Sequence, residues 1–145
     1  MRPFREIAEE LKPDGALRDF YIFETDSGTW QLFLESIRSL TGPEDFRIDG
    51  AIAPLPSKAS EIFAIWSGAS PCLSIHVGSG ILCCHFFTET ELELDFVPKD
   101  YATEEKWNGL CEFFTKLCAK LNRNGIVCHE NAQDQVIETF SGKSA

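Results

Sequence analysis

The sequence is short of positive charge: 13 Lys and Arg face 23 Asp and Glu in 145 residues, a formal net charge of −10. Neutralising phosphate requires a basic surface, so this balance argues against a nucleic-acid binder. Long apolar runs are also missing, and none approaches the roughly 18 residues of a membrane span. Met1-Arg2-Pro3-Phe4-Arg5-Glu6 lacks the apolar core of a secretion signal, which points to the cytoplasm. No repeat, linker or low-complexity block breaks the chain. Residues 1–140 therefore read as one domain, followed by a flexible tail over 141–145.

Apolar side chains are plentiful, at 43% hydrophobic and 12% aromatic, which excludes intrinsic disorder. A chain of this length buries enough surface to fold without a disulfide or metal staple. The six cysteines, Cys72, Cys83, Cys84, Cys111, Cys118 and Cys128, are accordingly expected as free thiols. Cys111 and Cys118 fall on a helical apolar stripe, where a thiol behaves as a small buried hydrophobe.

Apolar spacing predicts a first helix from Pro3 to Leu11 and a short strand at Phe20-Tyr21-Ile22-Phe23, covered on both faces. A second helix is capped by Asp26 or Ser27, carries Trp30, Phe33, Leu34, Ile37 and Leu40, and closes at Gly42-Pro43. Phe46 to Ile48 reads as a strand ending at Asp49-Gly50. An extended connector over Ala53–Pro56 leads to a third helix capped by Ser57. Thr103 caps the longest helix, whose stripe runs from Trp107 to Leu121 and stops at Asn124-Gly125. Ile126-Val127-Cys128 reads as a strand, while Ala132 to Phe140 fits a helix or a strand equally.

The middle of the chain reads as a three-stranded meander. Cys72–Val77 and Ile81–Phe87 flank Gly78-Ser79-Gly80, and a turn there opposes Ile75 to Leu82 and Leu73 to Cys84. The third strand alternates Leu92, Leu94 and Phe96 with Glu91, Glu93 and Asp95, so Leu94 falls beside Cys84 and Cys83 beside Asp95. The fold class expected is α+β: a single domain with an antiparallel sheet of four to six strands and helices packed chiefly on one face. Its core should contain Ile22, Phe33, Ile37, Phe63, Ile75, Leu82, Phe86, Leu94, Leu110, Phe114 and Leu117.

No motif names a reaction. Cys72, His76, Cys83 and His85 share the outward face of the meander. However, Cys84 points the other way and the spacing matches no zinc signature, so no metal is expected. Cys83 and His85, two apart on one strand, project in parallel rather than toward each other, which is poor geometry for a nucleophile and its base. Gly78-Ser79-Gly80 is not followed by a helix and is a turn, not a phosphate loop. The reading is of a non-enzyme without a cofactor. A small enzyme or enzyme-accessory domain with a Cys/His site on that face is the alternative.

Charge is concentrated in one stretch. Between residues 89 and 105, Glu89, Glu91, Glu93, Asp95, Asp100, Glu104 and Glu105 stand against Lys99 alone, more than half of the chain's net charge. Such a patch speeds capture of a basic protein, and Phe87, Phe113 and Tyr101 are expected beside it as aromatic anchors. The expected partner-binding set is Phe87, Glu91, Glu93, Asp95, Asp100 and Tyr101. The segments Leu17-Arg18-Asp19-Phe20-Tyr21-Ile22, Trp30-Gln31-Leu32-Phe33-Leu34 and Cys84-His85-Phe86-Phe87-Thr88, the last before an acidic strand, give the chain a resemblance over residues 4 to 130. It resembles small acidic bacterial immunity proteins, which neutralise toxins delivered between competing bacteria. The resemblance implies a protein that binds a toxin domain, and the acidic balance points to a basic one; the same balance and the lack of long apolar runs argue against nucleic-acid and membrane partners.

Overall fold

The computed structural model describes residues 2–40 and 45–143. Along the chain run α1 (Phe4–Glu10), β1 (Arg18–Phe23), α2 (Ser27–Leu40), β2 (Asp45–Ile48), β3 (Ala51–Ile52) and α3 (Ala59–Ile65). They are followed by β4 (Pro71–Val77), β5 (Gly80–Cys84), β6 (Glu91–Phe96), a 3₁₀ turn (Pro98–Tyr101), α4 (Glu104–Leu121), β7 (Gly125–His129) and β8 (Ala132–Phe140). The expected close of the second helix at Gly42-Pro43 lies outside the described residues, as do residues 144–145 of the expected tail.

Local chemistry sets several boundaries. Asp26 Oδ1 accepts the Thr29 amide at 2.8 Å and caps α2. Thr103 Oγ1 accepts the Lys106 amide at 3.3 Å and caps α4, whose first turn carries Glu104 and Glu105. Asp49 and Gly50 both adopt positive φ, 49° and 82°, the signature of a tight hairpin turn, so β2 folds straight back into β3. Two expected signals are corrected. Ser57 does not cap α3; the Ala59 amide instead donates to Gln31 Oε1 of α2 at 2.8 Å, and Gln31 Nε2 donates back to the Ser57 carbonyl at 2.8 Å. Similarly, α4 ends at Asn122, left-handed at φ 52°, ahead of Asn124-Gly125. Gly125 opens β7 because only a glycine fits there: a Cβ would meet the Phe20 ring at 2.8 Å.

All the strands join one antiparallel sheet of eight, in the order β3-β2-β4-β5-β6-β1-β7-β8. That corrects the expected four to six strands, although the α+β class holds. The two-residue β3 is too short to show alternation. In β8, a bulge against β7 sets Val136 opposite Cys128 but Glu138 opposite Val127, so Ile137 and Glu138 are both buried and the period of two is lost. The central hairpin pairs as read from sequence, Leu73 with Cys84 and Ile75 with Leu82, and Cys83 stands opposite Asp95.

One sheet face carries the core. Leu92, Leu94 and Phe96 are buried there with Phe20, Ile22, Leu73, Ile75 and Leu82. Phe20 stacks flat on Phe114 of α4, ring centres 4.1 Å apart, and Trp30 of α2 packs on Phe86 at 5.3 Å. Of the expected core, Phe63 alone is only partly buried; it packs edge-on to Trp30 at 5.0 Å. Arg18, on the same face, is 1% exposed. Its Nε donates to the Glu10 carbonyl at 2.9 Å, Nη1 to the Leu17 carbonyl at 3.0 Å, Nη2 to the Lys12 carbonyl at 3.3 Å, and both Nη atoms reach the Asp14 carboxylate. One guanidinium thus ties β1 to the end of α1.

Removing that fork leaves partly buried carbonyls, and the Asp14 carboxylate, without these donors. Arg18→Met should therefore lower the unfolding free energy by about 3 kcal/mol. Arg18→Lys should lose most of the same amount, because a point charge cannot span these acceptors. Urea denaturation measures both, and a loss below about 1 kcal/mol for Arg18→Met would contradict this role.

Candidate functional site

The alternation that buries Phe20 and Ile22 turns Asp19, Tyr21 and Phe23 to the other face of the sheet, opposite Asp95, Glu93 and Glu91 of β6. Cross-strand pairing continues the rows: Ser74, Cys83, Asp95, Asp19 and Cys128 form one rung across β4, β5, β6, β1 and β7. Cys72 lies beside this rung, opposite Arg47 of β2. Carboxylates therefore meet at the middle of the sheet, where like charges directly opposite repel.

Tyr21 sits between two of them. Its hydroxyl lies 3.2 Å from Asp19 Oδ2 and 3.1 Å from Glu93 Oε1, and its one hydrogen can serve one acceptor at a time. Asp19 Oδ2 also accepts the Asn131 amide at 2.9 Å. Burial pushes the Asp19 carboxyl above its ordinary range; the Asn131 amide and Tyr21 partly offset this, while Asp95 and Glu130 add to it. Burial likewise raises Glu93, with Asp19 as the next cause. Burial, Asp19 and Glu93 together keep the Tyr21 phenol protonated. His85 Nε2 approaches Asp95 Oδ2 at 3.3 Å, and that contact raises the imidazole pKa. The His85 ring stacks on Phe87 at 5.1 Å, and Phe87 faces Trp66 at 6.0 Å, forming an aromatic rim with Phe87 60% and Trp66 40% exposed.

The expected binding residues divide accordingly. Glu91, Glu93, Asp95 and the exposed Phe87 share this face. Asp100 sits apart in the 3₁₀ turn, where its carbonyl accepts the Ser79 hydroxyl at 3.4 Å. Tyr101 is not an exposed anchor: it is 1% exposed, its hydroxyl donates to the Val77 carbonyl at 2.7 Å, and its ring fills the space a side chain at Gly80 would occupy. Phe113 is likewise buried, against Phe114. Asp19, Tyr21 and Trp66 escaped the sequence reading. For the first two the signal was present, since Asp19, Tyr21 and Phe23 alternate with Phe20 and Ile22. Among the described residues, no group of three or more His, Cys, Asp or Glu is gathered as a metal would require, and no helix is long and apolar enough to cross a membrane.

No protein-family model matches the chain, and no curated protein matches it by sequence. A solved structure does match. It is a chain of the crystal structure of the toxic C-terminal tip of CdiA from Pseudomonas aeruginosa in complex with immune protein, with a TM-score of 0.51 at 13% sequence identity. The match covers 86% of this chain and 94% of that one. The likeness is one of fold. It is consistent with the resemblance to immunity proteins drawn from the sequence.

Asp19, Glu93 and His85 each bind a proton more tightly in the folded state than in the unfolded one. The His85 contribution is present below about pH 6.5 and is lost as pH rises through its folded value. For the two carboxyls, stability grows as pH falls through their raised folded values toward the ordinary carboxylate range near about 4. The urea midpoint should therefore rise when pH is lowered from about 7.5 to about 5.5. Asp19→Asn and Glu93→Gln should raise it at the higher pH and shrink the gain on acidification. A wild-type midpoint that stays level or falls over this interval would contradict the assignment.

Proposed function

We propose that the chain is a non-catalytic, cytoplasmic binding module of the immunity type, which docks a basic toxin domain on the outward sheet face and blocks it. The observation that carries this reading is the group Glu91, Glu93, Asp95 and Asp19. These carboxylates crowd the centre of the sheet, and among the described residues only Asp95 has an ion-pair partner, His85. Cationic side chains of a partner would relieve the repulsion, and the field of the patch would speed encounter. Phe87 and Trp66 would supply apolar contact at its margin, and Asp100 an outlying charge. The fold likeness to a chain from a toxin complex with immune protein supports a protein partner.

The test is association with the product of the neighbouring open reading frame. Glu91→Gln with Glu93→Gln keeps side-chain shape and should slow association about three- to tenfold at low salt, with little change at high salt. Phe87→Ala should act on dissociation instead. An association rate at low salt that ignores both carboxylates would remove the docking face, and failure of that product to bind would remove the immunity reading.

A further inference from the structure

The sheet ends on two unlike edges. β3 is two residues long and offers little free backbone, whereas β8 runs over Ala132–Phe140. A long unpaired edge is a template for a further strand, and proteins commonly guard one with Lys or Pro. β8 contains neither. Its first half is guarded by shape instead. Cys128 pairs with Val136 and the adjoining His129 with Ala132, so residues 133–135 bulge out of the ladder, and Gln133 Nε2 leans to Glu91 Oε2 at 3.4 Å. Residues 136–140 are left as the usable edge.

Along that edge the backbone is satisfied by a plug from outside the sheet. The Thr139 amide donates to Glu138 Oε1 at 3.0 Å, and the Ile137 carbonyl accepts Arg2 Nη1 at 2.8 Å. A neighbouring antiparallel strand would offer these two groups the same acceptor and donor. Glu138 Oε2 takes the Arg2 amide at 3.2 Å and closes the plug, while Arg2 Nε reaches Glu6 at 3.4 Å. The two halves of the plug differ in how firmly they are held. Glu138 is 7% exposed and ends the row Leu94, Phe20 and Val127, which is otherwise apolar. The Arg2 side chain lies at the surface, 38% exposed. Two backbone amides hold the Glu138 carboxylate, and among the described residues no cationic side chain is ion-paired with it.

We propose that residues 136–140 of β8 are a docking edge for an extended basic segment of a partner protein, which displaces Arg2 and adds to the sheet as a further strand. A backbone N–H of the segment takes the Ile137 carbonyl and one of its carbonyls takes the Thr139 amide. Glu138 then loses both of its amides, and a Lys or Arg of the segment replaces them. Stripping donors from a buried carboxylate without replacement is costly, so a segment lacking a cation is rejected. The same carboxylate turns away a second copy of this chain. β8 carries Asp134 and Glu138 and no cation, and two such edges would set like charges side by side. Gln133 links this edge to the outward face at Glu91, but the edge has its own contacts and its own residues.

The test uses the full chain and a synthetic peptide, so its outcome does not depend on the neighbouring gene product or on the outward face. The chain is titrated with the capped peptide acetyl-Thr-Lys-Val-Lys-Val-Thr-amide and followed by amide NMR. The expected result is a saturable shift centred on the Ile137, Glu138 and Thr139 amides, with no response to the same peptide carrying Glu in place of Lys. Arg2→Ala opens the plug and should tighten binding about three- to tenfold, whereas Glu138→Gln should weaken it about tenfold. If Glu138→Gln does not fold, Arg2→Ala and the two peptides still decide. Absence of a saturable shift at these amides, shifts centred on Glu91 and Glu93, equal response to both peptides, or unchanged binding in Arg2→Ala would each overturn the proposal. So would sedimentation of Arg2→Ala as a dimer, which would make a second copy the occupant.

Discussion

Phe20 lies flat against Phe114, with 4.1 Å between ring centres, and Phe96 and Phe140 pack around the same pair. This aromatic joint fixes which way β1 faces. Successive side chains in a strand point to opposite sides, so burying Phe20 under α4 leaves Asp19 and Tyr21 no choice but the outward face. A slip of one residue in β1 would drive Asp19 and Tyr21 beneath the helices. The absent side chain at Gly125 belongs to the same joint, because Phe20 occupies its place. Arg18, next in the strand on the covered side, then anchors the incoming loop. Core and candidate site are thus two consequences of one packing choice.

The outward face does not favour stability. Asp19, Glu93 and Asp95 are crowded and partly desolvated, and Asp19 and Glu93 hold protons more tightly than free carboxyls do. A sheet face built for solubility alone would space its charges and interleave lysines. Local consistency is broken at one place while the rest of the fold keeps its rules, a pattern expected where a surface serves a role besides folding. The helix-covered side, with rings from Trp30, Phe63 and Phe86 meeting at 5.0 to 5.9 Å, supplies the apolar burial that offsets the cost.

Legibility followed the strength of local signals. The β4–β5 hairpin could be read pair by pair because Gly78-Ser79-Gly80 fixes the turn and alternation fixes the register on each side. α4 was equally plain, since Thr103 and a stripe of seven apolar positions agree. β8 was obscure because its bulge hides the period, and β3 because two residues hold no pattern. Tyr101 misled: its neighbours are charged, but Gly80 leaves a slot for its ring and the Val77 carbonyl takes its hydroxyl. The meander placed Glu91, Glu93 and Asp95 on one face without the structure. Asp19 and Tyr21 join them through pairing between distant segments, which a single sequence does not display.

The strand order has a kinetic side. β1 is early in the chain yet lies in the interior of the sheet, where Phe20 pairs with Leu94 on one flank and Val127 on the other. Neither flank exists until most of the chain has been synthesised, so β1 emerges with both hydrogen-bonding edges open. Closing such long loops costs entropy before any contact repays it, and chains dominated by distant pairing fold slowly. The local β4–β5 hairpin and α4 need no such closure, whereas β1 must fit between β6 and β7. The rung of Ser74, Cys83, Asp95, Asp19 and Cys128 is therefore complete only when these distant pairings are all in place.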